Sequence, residues 1–453
     1  MSGRPEPMVV SHDPFSGEEV FRAPVAGPSE TAAAVTRAQA GAQRWGATAM
    51  ALRTQALRRF AALLEAEAGN FAELIVREVG KRRVEAQDEV AWTALSARWY
   101  AEHPPARELA GQARVIARPL GVIAAVTPWN VPLITPAWKW LPALMAGNAV
   151  VWKPSELATG VAVAARERLI AAGIPADALQ LLPGDARTAQ LLCADERVAG
   201  IHFTGSERAG RALAGLAAPR FARCALEMSG LNPAIVLADA DLDLAADCIV
   251  ACATALAGQK CTATRRVLVA EPVQDALLEG LAQRIGALRI GDPRDPATDV
   301  GPLITPAARA TADAALERAV SAGARVVARA RTSEGPALFA PALLSDLDPE
   351  DPLRRQELFA AVLTVESFAK PEDAWTLANG SPYGLSAAIY GREPTELAAA
   401  CEQVHAGVLA VNRRGDAVDL EAPFGGHKRS GNGRAEGGMY AYAAVTELQA
   451  VYE

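Results

Sequence analysis

Between Gly121 and Gly210, short apolar runs alternate with helical stretches, and each run ends in a turn rich in proline, glycine or hydroxyl side chains. The runs cover residues 121–126, 148–153, 179–182 and 198–203. A run that is apolar at every position suits a strand buried on both faces, and repeated strand–helix alternation is satisfied by a doubly wound parallel sheet. Such sheets bind ligands beyond the carboxyl ends of their strands. That rule marks Thr127-Pro128-Trp129-Asn130, Lys153-Pro154-Ser155-Glu156 and the glycine turn Thr204-Gly205-Ser206 through Gly210. In the last, two glycines at a strand-to-helix turn let backbone amides approach a phosphate.

At 453 residues the chain exceeds one ordinary core. A second α/β unit is expected to open at the strand 232–237 and to contain the strand 267–269 and the helix 273–288. Before residue 100, alanine-rich helices are expected from Ser29, as N-cap, to Trp45, then over 50–64 and 71–79, as packing layers without chemistry. The stretch 115–119 reads as a strand beside 121–126. The apolar tail 439–448 reads as a lone strand needing a partner sheet, which points to a subunit interface.

Ala257-Gly258-Gln259-Lys260-Cys261-Thr262-Ala263 presents one thiol among glycine and polar residues. A thiol of ordinary pKa, about 8.5, needs a base or a positive setting to act at neutral pH. Glu227, 34 residues upstream, is the candidate base. Cys193, Cys224, Cys248, Cys252 and Cys401 read as small core hydrophobes, Cys248 and Cys252 sharing one helical face. Only six of the 45 basic residues are lysines, and three of them, Lys139, Lys153 and Lys260, fall in stretches marked on other grounds.

Other classes are excluded on composition. A net charge of −7 offers no footprint for nucleic acid. No apolar run reaches the ~20 residues of a membrane span, and Met1-Ser2-Gly3-Arg4 lacks a signal-peptide core. Unclustered cysteines and scattered histidines give neither a disulfide framework nor a metal site, and point to the cytoplasm.

Taken in order, Pro128-Trp129-Asn130, Lys153-Pro154-Ser155-Glu156, Phe203-Thr204-Gly205-Ser206, Leu226-Glu227 with Gly230 and Asn232-Pro233, Gly258-Gln259-Lys260-Cys261, Glu357 with Phe359, and Pro423-Phe424-Gly425-Gly426 closely resemble the aldehyde dehydrogenase superfamily over nearly the whole chain. The resemblance implies an NAD(P)-binding domain over 1–102 and 121–228, a catalytic domain over 229–430, and a small β oligomerisation element from 103–120 and 438–453. It implies a homodimer or homotetramer.

It further implies that Cys261 adds to the aldehyde, Asn130 stabilises the oxyanion, Glu227 activates water, and Lys139 serves proton relay. Thr127, Pro128, Trp129, Lys153, Ser155, Glu156, Gly184, Phe203, Thr204, Gly205, Ser206, Gly210, Met228, Gly230, Glu357 and Phe359 would meet the cofactor. The cofactor would be NAD, with NADP possible, because the Glu156 carboxylate repels a 2′-phosphate.

Four departures stand out. Ser229 and Leu231 follow Glu227 where the family has glycine and lysine, and Ala360-Ala361 replace Gly-Pro after Phe359. Gly184-Asp185-Ala186 lacks a second glycine. Ala435 follows Gly433-Arg434 where many members have a glutamate, with Glu436 one position later.

For substrate, residues 134–139, 258–264 and 411–419 resemble the branch acting on α-ketoglutaric semialdehyde, with Trp138, Lys260, Thr262, Arg413 and Arg414 as contacts and the two arginines available to a carboxylate. Two rivals remain: a CoA-acylating semialdehyde dehydrogenase, whose members typically lack the glutamate, and a non-catalytic relative, which tends to lose the cysteine or the base.

Overall fold

The computed structural model describes residues 7–105, 107–332 and 334–452. Met1-Ser2-Gly3-Arg4, considered for targeting on sequence, lies outside them. The first sheet has five parallel strands in the spatial order 179–181, 149–153, 122–126, 200–204, 223–227. The earliest strand lies in the middle and the winding reverses there, so a crevice opens at the carboxyl ends of 122–126 and 200–204. Every residue of 122–126 and 149–153 is buried, which is why the sequence shows unbroken apolar runs.

Helices Pro28–Ala47, Met50–Ala66, Ala68–Val79 and Arg83–Glu102 bury their apolar faces in the same core as this sheet. The first helix starts earlier than expected. Gly27, not Ser29, is its N-cap, because Pro28 suits the first helical position and Glu30 reaches back to the Gly27 amide at 3.0 Å.

The second sheet has seven strands in the order 325–329, 342–345, 362–368, 264–270, 232–236, 386–390, 408–411, parallel except for the first pair. It has core clusters of its own. A third sheet pairs 107–110, 113–119 and 446–452 antiparallel. The adjacent strands 113–119 and 122–126 therefore join different sheets.

The tail differs from expectation. Met439–Val445 is helical, with Ala441, Tyr442 and Val445 in the first core, and only Thr446–Tyr452 is a strand. Its partner, 113–119, belongs to the same chain. Among the described residues its other edge is unpaired, and Leu448 and Tyr452 on it are exposed. Among the described residues, no helix is long and apolar enough to cross a membrane.

Candidate active site

Helix Leu242–Thr254 runs into a turn, Ala255–Gly258, where Leu256, Ala257 and Gly258 are all left-handed. Two of these carry a Cβ, at a cost on the order of 1–2 kcal/mol each. At 258 a Cβ would strike the backbone of Ala361, so only glycine lets the turn press against the loop after Phe359. Asn232 then pins the thiol loop. Its Nδ2 donates to the carbonyls of Cys261 at 2.7 Å and Ala263 at 2.9 Å, while its Oδ1 accepts from the Ser386 amide at 3.1 Å. Cys261 is thus delivered in a loop at the amino edge of the second sheet, with its side chain partly accessible.

A cavity of about 790 Å³ opens beside it, walled by Cys261, Thr262, Glu227, Trp138, Phe424 and Glu436 among others. Glu227 comes from the end of the first sheet's last strand, so the cavity lies where the carboxyl edge of one sheet meets the amino edge of the other. Asn130 crosses the same gap, its Nδ2 donating to the Gln259 carbonyl at 2.8 Å, two residues before the thiol. An amide nitrogen keeps a second hydrogen for an oxyanion.

The Cys261 thiol is pushed up to about 12 by the surrounding desolvation and by the carboxylate of Glu357, with Lys260 pulling the other way. Glu227 accepts from the Gly426 amide at 3.2 Å. Burial, and then the charge of Glu436, raise its pKa well above the usual carboxylate range, against the pull of Lys139. Lys139 is fully buried and ion-paired with Glu436. The one-residue displacement of this glutamate in the sequence therefore does not separate it from the lysine.

The expected cofactor residues differ in their surroundings. Trp129 and Phe359 meet edge to face, 5.8 Å between ring centroids, joining the loops after residues 126 and 357. Lys153 is buried and stands 3.7 Å from the half-exposed Glu156. Burial lowers the Lys153 pKa while Glu156 opposes. Ser206 caps helix Glu207–Ala217, and Gly205 donates to the Glu227 carbonyl at 3.0 Å. Phe203 and Met228 pack around Gly210.

Three of the set also have partners within the protein. The Thr127 hydroxyl accepts from the Trp152 indole at 2.8 Å, Ser155 caps the turn after it, and Gly184 makes room for Thr188. Two buried oxygens, Glu357 Oε1 and Thr204 Oγ1, have no hydrogen-bond partner among the described residues. Unpartnered acceptor and hydroxyl groups of this kind fit a polyhydroxylated ligand such as a dinucleotide. Burial pushes Glu357 up to about 7, with Arg265 the main opposing charge.

Of the expected substrate contacts, Trp138, Lys260, Thr262 and Arg414 line the cavity. Arg413 does not: its carbonyl accepts from the Tyr390 hydroxyl at 3.1 Å and its side chain is exposed outside the cavity wall. Nor is Arg414 free, since it and Lys260 both bond Asp416, at 2.8 Å each. Burial works against the Asp416 charge, but Lys260 and Arg414 outweigh it and hold its pKa at about 2.

The other cysteines meet the core-hydrophobe expectation in part. Cys193 and Cys252 are buried, Cys224 and Cys248 only partly, and Cys401 is exposed near the end of helix Pro394–Gln403. Sequence reasoning missed the Asn232 side chain and Arg265. Arg265 left a signal, because Arg265-Arg266 opens a strand, 264–270, whose every residue is buried.

The Aldehyde dehydrogenase family model matches residues 2–451. The chain belongs to the aldehyde dehydrogenase family. It is an oxidoreductase that converts an aldehyde to the carboxylic acid with NAD(P). It is 34% identical over 442 residues to the NADP(+) succinate-semialdehyde dehydrogenase of Deinococcus radiodurans, covering 96% of this chain and 92% of that one. It is 35% identical over 441 residues to a non-phosphorylating aspartate-semialdehyde dehydrogenase of Halomonas elongata, covering 94% and 88%. Among solved structures, lactaldehyde dehydrogenase from Escherichia coli superposes with a TM-score of 0.94 at 30% identity, over 100% of this chain and 97% of that one.

Proposed function

We propose that this aldehyde dehydrogenase acts on a small acidic semialdehyde through a thioester on Cys261. The observation that carries this reading is that Cys261 and Glu227, from different sheets, face one cavity. The Cys261 thiol gives up its proton to water in the cavity as its sulfur adds to the aldehyde carbon, and the oxyanion is met by the Asn130 amide and the Cys261 backbone N–H; losing such a donor typically costs about 10²–10³ in turnover. Bound NAD(P) supplies the hydride acceptor. Glu227 then takes a proton from water as it attacks the thioester carbon, and the sulfur leaves. Lys139 and Glu436 extend a buried route for that proton. A carboxylate base in the cavity supports transfer to water rather than to CoA.

Lys260 and Arg414 place two positive charges against the single Asp416, and the surplus supports a substrate carboxylate. The relatives acting on succinate and aspartate semialdehydes point the same way. Glu156 supports NAD over NADP. The test is a panel of succinic, aspartic and α-ketoglutaric semialdehydes and neutral aldehydes, with NAD or NADP, with and without CoA. Arg414→Ala is expected to raise KM for acidic semialdehydes about tenfold, near 1.4 kcal/mol, and to leave neutral aldehydes unchanged. Equal losses on both would remove the acidic-substrate reading.

We also propose the division into a cofactor domain over 1–102 and 121–228, a catalytic domain over 229–430, and an oligomerisation element from 103–120 and 438–453. The unpaired edge of Thr446–Tyr452, with Leu448 and Tyr452 exposed, supports assembly as a homodimer or homotetramer. Free thiols at Cys224, Cys248 and Cys401 support a cytoplasmic location.

A further inference from the structure

We infer that Arg265 is a positioning residue for the oxidation, a buried guanidinium that ties the loop delivering Cys261 to the loop carrying Glu357. The inference rests on the proposed function, in which Cys261 meets the aldehyde, and on the cofactor contact that the family resemblance implies for Glu357.

Arg265 is 3% exposed. Its Nη1 donates to the Ala360 carbonyl at 2.8 Å, and its Nη2 to the carbonyl of Gly258 and, at 3.4 Å, to that of Lys260. These carbonyls come from two turns that leave regular structure through left-handed residues, Leu256 to Gly258 on one side and Phe359 on the other. Such turns have no ladder to satisfy them, and a planar fork holds both at once in a fixed geometry that a point-charge ammonium does not impose. The same Nη2 lies 4.0 Å from Glu357 Oε1, the buried oxygen without a hydrogen-bond partner. Arg266, next in the chain, serves elsewhere, donating to the Leu377 carbonyl at 2.8 Å.

A purely structural role explains this placement poorly. A buried cation is weak stabilisation at best, and here the Nε has no hydrogen-bond partner among the described residues. What the position does provide is one rigid link between the thiol loop and the Glu357 loop. It also provides a charge facing Glu357. The other groups facing that carboxylate are the Ser229 hydroxyl, the Gly230 amide, the Cys261 thiol and the Tyr383 phenol, and of all these Arg265 opposes the effect of burial most.

An ionised carboxylate accepts ribose hydroxyls more strongly than a protonated carboxyl does. Neutralising Arg265 removes the main charge that opposes burial at Glu357 and shifts it toward the protonated form, so the loss of cofactor affinity is expected to be largest at low pH. The experiment measures NAD binding by tryptophan fluorescence from pH 6.5 to 9.5, with kcat and thermal melting, on wild type, Arg265→Gln, Arg265→Lys and Glu357→Gln. Arg265→Gln is expected to bind NAD about tenfold more weakly at pH 7 and to recover toward wild type by pH 9.5. Arg265→Lys keeps the charge but not the fork, and is expected to bind NAD at all pH values nearly as wild type while kcat falls at least tenfold.

If Arg265→Gln does not fold, the split between binding and kcat in Arg265→Lys decides. Unchanged kcat in Arg265→Lys, or pH-independent loss in Arg265→Gln, overturns the inference. Normal NAD binding in Glu357→Gln would instead overturn the role given to Glu357, leaving the loss of kcat in Arg265→Lys to judge the link itself.

Discussion

Adding one methyl at Gly230 moves the nucleophile without touching it. A Cβ there would lie 2.5 Å from the Cys261 carbonyl oxygen and 2.6 Å from Asn232 Oδ1, where ordinary contact begins at 3.4 Å. Gly230 is not among the left-handed residues, so the obstacle is space rather than conformation. Neither neighbour can step aside cheaply. The Cys261 carbonyl is held by Asn232 Nδ2 at 2.7 Å, and Asn232 Oδ1 is held by the Ser386 amide at 3.1 Å.

The loop must therefore retreat by about 0.9 Å, and a displacement near 1 Å costs on the order of 10²-fold in rate. That is about 2.7 kcal/mol in the barrier, beside an overpacking cost of roughly 1–3 kcal/mol in stability. The assay is steady-state oxidation at saturating aldehyde and cofactor for Gly230→Ala, with a thermal melt beside it. A modest fall in Tm with kcat down about 10²-fold is expected. A kcat within twofold of wild type would refute the claim that this contact sets the thiol's position.

Other outcomes depend on the charges around the cavity. Glu227 must be ionised to act as base, so kcat rises with pH through its raised pKa; Glu436→Gln removes a charge that raises it and should move the acid limb of the kcat profile down by roughly one unit. An unmoved limb would detach Glu436 from the base. With its pKa near 12, the Cys261 thiol is less than about 0.01% ionised at neutral pH, so iodoacetamide should label the exposed Cys401 before Cys261 in cofactor-free protein, and Cys261 labelling should rise about tenfold per pH unit. Peptide mapping reads both, and preferential labelling of Cys261 at pH 7 would contradict the burial argument.

The first sheet was legible because its strands are buried on both faces and end in turns with local chemistry, so Asn130, Lys153 and Ser206 fell at strand ends where the alternation put them. The strand order of the second sheet was not, since nothing local says that 362–368 lies beside 264–270, nearly a hundred residues earlier. For the same reason the two-way clamp of Asn232 on the thiol loop, and the reach of Arg265 to Ala360, are properties of packing rather than pattern. Arg413 and Arg414 show the limit from the other side. The pair looked equivalent in the sequence, but the turn at 412–416 sends Arg414 to Asp416 in the cavity wall and leaves Arg413 outside.

The division of labour between Cys261 and Glu227 is open to direct reading by mass. In Glu227→Gln, mixed with NAD and a semialdehyde and quenched within one turnover time, the account requires reduced cofactor to appear in a burst stoichiometric with enzyme, and the acyl group to sit on the peptide containing Cys261. A burst without an adduct, an adduct on Cys252 or Cys248, or undiminished steady turnover would contradict it.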